Sequence, residues 1–449
     1  MRVEVCLELL GSAVLDGVAA RHARKQAGTG EIGEDDGHGM HEREQALRVT
    51  VDALEVCFTF AGHSARTSPG ESCMNRFRSP LLSGLLAVLL LPAMTPSSAS
   101  AAASRVLLVV SSEGRDQGKT RPGFEMDEFA QAWLILKQNG FDIDVASPRG
   151  GAVEADKYNP TEAFNSAVLA DSQAMGKLAA TLPTAQLRAS DYQGVLVIGG
   201  KGAMFDLPAD KALHATIAGI WQQGGLVAAV CHGPAALAGV RLPDGRAMVE
   251  GRAMTGFTEE EEALFGKRWA KEFAFQLEPR MRELGARWQE APLMMPKVVV
   301  DGRLLTGQNP FSTAALADAF VRASGRVPLA RQAWRDERSM ALVEQHLQQR
   351  DGQAAQILAQ RPSDHHVELI GMLGFYQLKA AKDATATADA LSIMQLASPH
   401  MDEPRLQVAM AEAHWRLGRT DLARSQVLAV LEKQPGLDEA NALLARMQP

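Results

Sequence analysis

Apolar positions run in two rhythms along this chain, and the rhythm changes once. From Arg105 to about Gly325, short continuous apolar runs alternate with stretches spaced three and four apart. Val106–Val110, Val195–Ile198 and Leu226–Val230 are unbroken runs, the pattern of parallel strands covered on both faces, and Phe141–Ala146 reads as a further strand. Between them, Asp127–Gln138 places Phe129, Ala132, Trp133 and Leu136 at helical spacing and meets a stop signal at Asn139-Gly140. Lys211–Gln222 reads as a second helix, ended by Gly224-Gly225. Farther on, the spacing predicts a helix over Ala270–Leu284 and a strand over Lys297–Val300. A tight Asp301-Gly302 turn then leads into a strand over Arg303–Thr306. Strand and helix in alternation predict a doubly wound, mostly parallel α/β sheet over 104–327, with ligands bound beyond the carboxyl ends of its strands.

After Pro328 no strand-like run remains, and residues 331–449 read as an all-α tail. Gly418, Ala423 and Pro435 stand at tetratricopeptide-like offsets, with Trp415, Leu417, Leu422, Val427 and Leu431 expected on the inner faces of two helices. Earlier units are expected to end at Ser398-Pro399 and Arg361-Pro362; an ordinary helical hairpin appendage is the plainer alternative. The tail carries no evident chemistry. It is expected to pack or to dock a protein partner, and His365-His366 reads as a surface pair rather than a metal site.

The first hundred residues change the picture of the compartment. Residues 1–73 lack sustained periodicity and read as an extension from an upstream start, or as a disordered one. Residues 74–101 run from Met74 through a short basic stretch to the apolar Leu81–Leu91 and the small residues Ala99-Ser100-Ala101. That is the composition of a secretory signal peptide, too short for a permanent span. Export to a periplasm is therefore expected, with no stable membrane span after removal. Cys6, Cys57 and Cys73 all precede Met74, so a mature chain would carry Cys231 alone. A lone thiol in an oxidising compartment is a liability unless it is buried or used. Net charge of −7 over 449 residues gives no reason to expect a nucleic-acid partner.

Cys231 closes the apolar run Leu226–Val230 and precedes His232, Gly233 and Pro234, the punctuation of a strand-to-helix turn. Helix-terminal amides there would favour the thiolate. A buried structural cysteine is the bland alternative; the adjacent histidine and the turn argue for a nucleophile.

Four segments in order resemble one known group. They are Gly199–Pro208, Ala229–Ala236, Thr255–Thr258 and Val299–Pro310, with Ala146–Gly151 and Asp156 in support. Together they resemble the class I glutamine-amidotransferase-like, or ThiJ/PfpI, superfamily, with its flavodoxin-like sheet. The branch they look most like is that of glyoxalase III enzymes and heat-shock-type chaperones. The resemblance implies Cys231 as nucleophile, His232 as its partner, Glu128 as the acid before the first helix, and Glu262 as the third triad member. Glu125 and Asp127 are then expected as solvated neighbours, and Glu259–Glu262 is a run in which a solvated face is the plain alternative. Backbone amides around Gly200, Lys201, Gly202 and Gly233 are expected to serve an oxyanion or the substrate. Many relatives carry histidine where Lys201 stands, and Pro292–Lys297 lacks their Trp and His.

The implied activity is cofactor-independent conversion of 2-oxoaldehydes such as methylglyoxal to 2-hydroxy acids through a cysteine hemithioacetal. No metal, flavin or nicotinamide is required. A homodimer is also expected. Glutaminase chemistry needs a downstream histidine, and none lies between His232 and His346. A cysteine peptidase and, more seriously, an exported holdase or redox sensor remain the alternatives.

Overall fold

A computed structural model describes residues 104–447; the extension and signal segment expected over 1–101 lie outside the described residues. Seven strands form one sheet in the order β3-β2-β1-β4-β5-β9-β8. They are β1 (Arg105–Val109), β2 (Asp142–Ser147), β3 (Leu182–Pro183), β4 (Gly194–Val197), β5 (Leu226–Val230), β8 (Val298–Asp301) and β9 (Leu304–Gly307). Every pairing is parallel except the β8–β9 hairpin, with Asp301 opposite Leu304. Two short strands, β6 (Ala253–Met254) and β7 (Arg287–Trp288), pair separately.

The central strands are apolar on both faces because helices cover both. These are α1 (Met126–Gln138), α2 (Ala163–Leu169), α3 (Ser172–Ala179), α4 (Lys211–Gln222), α5 (Glu259–Phe265), α6 (Leu277–Glu283) and α7 (Thr313–Ala323). Leu107, Leu108, Val195 and Val227 are buried completely, each such side chain contributing about 1.5–3 kcal/mol. α1 ends where Asn139-Gly140 predicts, with Gly140 left-handed at φ +76. α4 is capped by Asp210, whose carboxylate accepts from the N–H groups of Ala212 and Leu213.

The helix expected over Ala270–Leu284 is broken. A single 3₁₀ turn, Trp269–Lys271, precedes a bend, and α6 starts only at Leu277. Pro279 gives the reason. It cannot donate to Phe275 and its ring crowds that residue's backbone, so it is tolerated only in a helix's first turn. The bend turns Phe273 inward, edge-on to Phe205 at 5.2 Å between ring centroids.

The tail is α8 (Arg335–Gln349), α9 (Gln353–Gln360), α10 (Val367–Ala380), α11 (Ala384–Ala397), α12 (Pro404–Arg416), α13 (Thr420–Lys433) and α14 (Asp438–Arg446). The first six form three hairpins, ending at the three places the sequence marks. Leu422, expected inside, is 44% exposed. The inner face of α13 is Ala423, Val427 and Val430, spaced four and three apart; Leu422 sits one residue, or about 100°, off that stripe. His365 is buried and His366 meets Asp336 Oδ1 at 2.8 Å, so the expected surface pair is instead packed and bonded. Residues of α8, α9 and α10 belong to the same hydrophobic core as the sheet. Edge-to-face pairs Phe164–Trp334 at 5.6 Å and Phe265–Tyr376 at 4.7 Å join the two parts. Among the described residues, no helix is long and apolar enough to cross a membrane.

Candidate active site

Cys231 occupies the residue after β5, at the carboxyl edge of the sheet, with φ +58. A side chain in the left-handed region costs of order 1–3 kcal/mol, so its surroundings must hold it there. They do so from three sides. Its N–H donates to Gly307 O at 2.9 Å and its carbonyl accepts from Phe257 N at 2.8 Å. Gly199 lies so close that a Cβ there would stand 2.8 Å from Cys231 Cβ. A Cβ on Gly233 would stand 2.4 Å from Val197 O. The elbow therefore needs glycine at 199 and 233 for space.

Glu128, in the first turn of α1, is fully buried and accepts from Gly199 N at 2.7 Å through Oε2. Oε1 has no conventional donor; the neighbour the carboxyl reaches is the Cys231 thiol. Burial drives the Glu128 carboxyl well above its ordinary range, helped by the charge of Glu125 and opposed by the Gly199 and Cys231 bonds. Burial likewise drives the Cys231 thiol up, and the charges of Glu128 and Glu125 push it further; only the Gly200 N–H leading to the sulfur pulls down. Against the expected pull of nearby amides toward thiolate, burial pushes the sulfur the other way. The element after the elbow is a 3₁₀ helix, Gly233–Gly239, rather than an α-helix, so fewer peptide dipoles align on the sulfur. Desolvation outweighs them, and burial pushes both members of the pair toward their protonated forms.

His232 lies behind the sulfur, with Nδ1 3.4 Å from Sγ and Nε2 2.7 Å from Glu262 Oε2. Its ring is held by Phe257, at 4.4 Å between centroids, and by Phe273 at 6.0 Å. Glu262 comes from α5, whose N-terminus is a capping box of Thr258 and Glu261. The structure thus brings Cys231, His232, Glu128 and Glu262 together. Gly200 joins them through its N–H. Gly202 does not: its N–H donates to Gly123 O at 2.9 Å. Lys201 is buried in the turn between them, and Gly233 serves packing.

Glu125 and Asp127, expected in solvent, are both buried. Asp127 Oδ1 accepts from Asn165 Nδ2 at 2.6 Å, and Glu125 adds charge beside the thiol. Half of the Glu259–Glu262 run is buried as well. Glu261 went unrecognised although its signal, Thr258-x-x-Glu261, was present. Its carboxylate accepts from Thr258 N and Oγ1, Met294 N, Gln308 Nε2 and Asn309 Nδ2, at 2.9–3.2 Å. Burial still lifts it to about 7. Among the described residues, no three His, Cys, Asp or Glu side chains converge as metal ligands.

The DJ-1/PfpI family model matches residues 120–323, spanning every residue of this constellation. A glutathione-independent glyoxalase of Schizosaccharomyces pombe is 30% identical over 222 residues, 45% of this chain and 87% of that protein. One from Saccharomyces cerevisiae is 31% identical over 241 residues, 48% of this chain and 96% of its own. The crystal structure of glyoxalase III from Candida albicans is 26% identical, covering 49% of this chain and 96% of that one, with a TM-score of 0.46. Spanning 87% and 96% of the two yeast glyoxalases, and carrying the family pattern across its own cysteine elbow, this chain belongs to the DJ-1/PfpI family.

Proposed function

We propose that the α/β half is a glutathione-independent glyoxalase of the glyoxalase III type, turning 2-oxoaldehydes into 2-hydroxy acids. The observation that carries this reading is the Cys231 thiol facing a buried Glu128 carboxyl that burial raises well above its ordinary range, with a His232–Glu262 pair behind it. The relatives' names support it.

The chemistry balances without an external oxidant. As Sγ bonds to the aldehyde carbon of methylglyoxal, the thiol proton passes to His232 Nδ1 and the Glu128 proton to the aldehyde oxygen. A hemithioacetal results, with Glu128 now anionic. Glu128 removes the hydrogen on that carbon, and His232 returns its proton to the neighbouring ketone oxygen, giving an enediol. Glu128 then protonates the second carbon while the first hydroxyl proton returns to His232. The first carbon has been oxidised to a thioester and the second reduced to an alcohol. Water adds to the thioester carbon, its proton going to Glu128, and the departing sulfur recovers its proton from His232. Lactate leaves, and thiol, imidazole and carboxyl regain their starting states. Glu262 holds the imidazole ring and stabilises it when charged. A carboxyl raised by burial suits this shuttle, because its affinity for a proton lies nearer the working pH.

The test is lactate formation from methylglyoxal with no thiol added. Turnover is expected from the wild type and none from Cys231→Ala. No lactate from folded wild type, with aggregation of a client protein suppressed, would favour the holdase alternative. We also propose a tetratricopeptide-like docking role for the tail, supported by helix pairs opening at Arg335, Val367 and Pro404. Export rests on the Met74–Ala101 pattern, and recovery of the protein only from the cytoplasmic fraction, with its amino terminus uncleaved, would contradict it.

A further inference from the structure

The family model stops at residue 323, before the tail begins. Yet the tail touches the wall of the site in two places. Tyr376 of α10 packs edge-on to Phe265, the last residue of α5, and both are buried. Its neighbour Gln377 donates through Nε2 to Leu293 O at 3.0 Å. Leu293 precedes Met294, a non-glycine residue held left-handed at φ +64. Met294 N donates to Glu261 Oε1, which also takes Gln308 Nε2 and Asn309 Nδ2 from the end of β9. The residue before Gln308 is Gly307, whose carbonyl holds the Cys231 N–H. The residue after Glu261 is Glu262, which holds His232. Lys382 also pairs with Glu260 at 3.2 Å, but that contact is exposed and contributes little.

From this continuity we propose that the tail is a positioning element of the catalytic centre. Gln377 and Glu261 are its positioning residues, setting α5 and the 292–296 loop so that Glu262 meets His232 and β9 meets the elbow. Two consecutive residues of one helix face about 100° apart, so Glu261 can bind the loop and strand while Glu262 binds the imidazole. Glu261 is surrounded by donors, so only an acceptor fits there; a glutamine would set its own N–H₂ against one of them. The single Gln377 bond is an ordinary hydrogen bond, and its loss frees the loop without emptying any core. The proposal rests on the catalytic reading of Cys231, His232 and Glu128.

The test uses the full-length chain with Gln377→Ala and Glu261→Gln, and Lys382→Ala as a control on the exposed pair. Two quantities are read. One is the pH profile of Cys231 alkylation by iodoacetamide, followed on the Cys231 peptide by mass spectrometry. The other is kcat and KM for methylglyoxal. The expected result is a displaced alkylation profile and a kcat lowered about threefold to tenfold in Gln377→Ala, with KM and melting temperature unchanged. Glu261→Gln is expected to move the same quantities further, and Lys382→Ala to move neither. Wild-type profiles and kcat in folded Gln377→Ala and Glu261→Gln would overturn the proposal. Should Glu261→Gln fail to fold, the milder Gln377→Ala still decides. If the wild type makes no lactate, the glyoxalase reading falls; the alkylation profile still tests the positioning independently.

Discussion

Glu128→Gln is expected to lower kcat for methylglyoxal by about 10²–10⁴-fold while leaving the protein folded. The amide has the size of the carboxyl, so the cavity between α1 and the elbow stays filled. It can still accept from Gly199 N, replacing the bond now made at 2.7 Å. It cannot protonate the aldehyde oxygen as the hemithioacetal forms, nor take the hydrogen from that carbon and deliver it to the next one, so the thioester is not reached. Stability should respond in the opposite sense to activity. Burial raises the folded-state proton affinity of Glu128 above that of the unfolded chain. Folding therefore takes up a proton there, and the stability this group supports is complete below the ordinary carboxylate range and is lost as pH rises through the folded value. A permanently neutral glutamine escapes that loss. Chemical denaturation across pH should show the variant gaining on wild type as pH rises, alongside its kinetic failure. A variant that lost activity by unfolding would show neither gain nor a cooperative transition.

Gly199→Ala and Gly233→Ala are expected to be strongly damaging single-methyl additions at the cysteine elbow. At Gly199 the new Cβ would lie 2.7 Å from Val230 O and 2.8 Å from both Cys231 Cβ and His232 N. At Gly233 it would lie 2.4 Å from Val197 O. Backbone opposes both additions, and backbone of a central sheet cannot yield cheaply. A loss of about 1–3 kcal/mol or more follows from overpacking alone. The elbow itself must also shift, so thiol reactivity should change together with the melting midpoint. Gly151→Ala is a useful contrast. Its φ is +77 but nothing stands within 4 Å of the added methyl, so strain acts without collision. Calorimetry on the three variants should rank the two elbow substitutions well above the third.

The sheet was legible because parallel strands buried on both faces have to be continuously apolar; Val106–Val110 and Leu226–Val230 had no other plausible home. The elbow was legible because cysteine, histidine, glycine and proline after a buried strand describe a sharp turn. The protonation state was not. It depends on how much protein surrounds the sulfur, and no local pattern reports that: the 3₁₀ turn and the burial of Glu125 came from tertiary packing. Glu125, Asp127 and Glu261 were misjudged for the same reason. An acid near a helix start reads as solvated until something packs over it, and what packs over Glu261 is the 292–296 loop and the end of β9, more than thirty residues away. The Ala270–Leu284 break has its signal in Pro279, which the helical spacing on either side masks. The tail's hairpins showed in their spacing, whereas its shared core with the sheet had no sequence signature.

The most direct measurement is acid-quenched mass spectrometry of the Cys231 peptide during turnover of methylglyoxal without glutathione. The account predicts an adduct on Cys231 that hydroxylamine cleaves in the wild type, as a thioester must be, and that fails to reach the hydroxylamine-sensitive form in Glu128→Gln. Steady lactate production from a chain whose Cys231 stays unmodified throughout, and from Cys231→Ala as well, would contradict it.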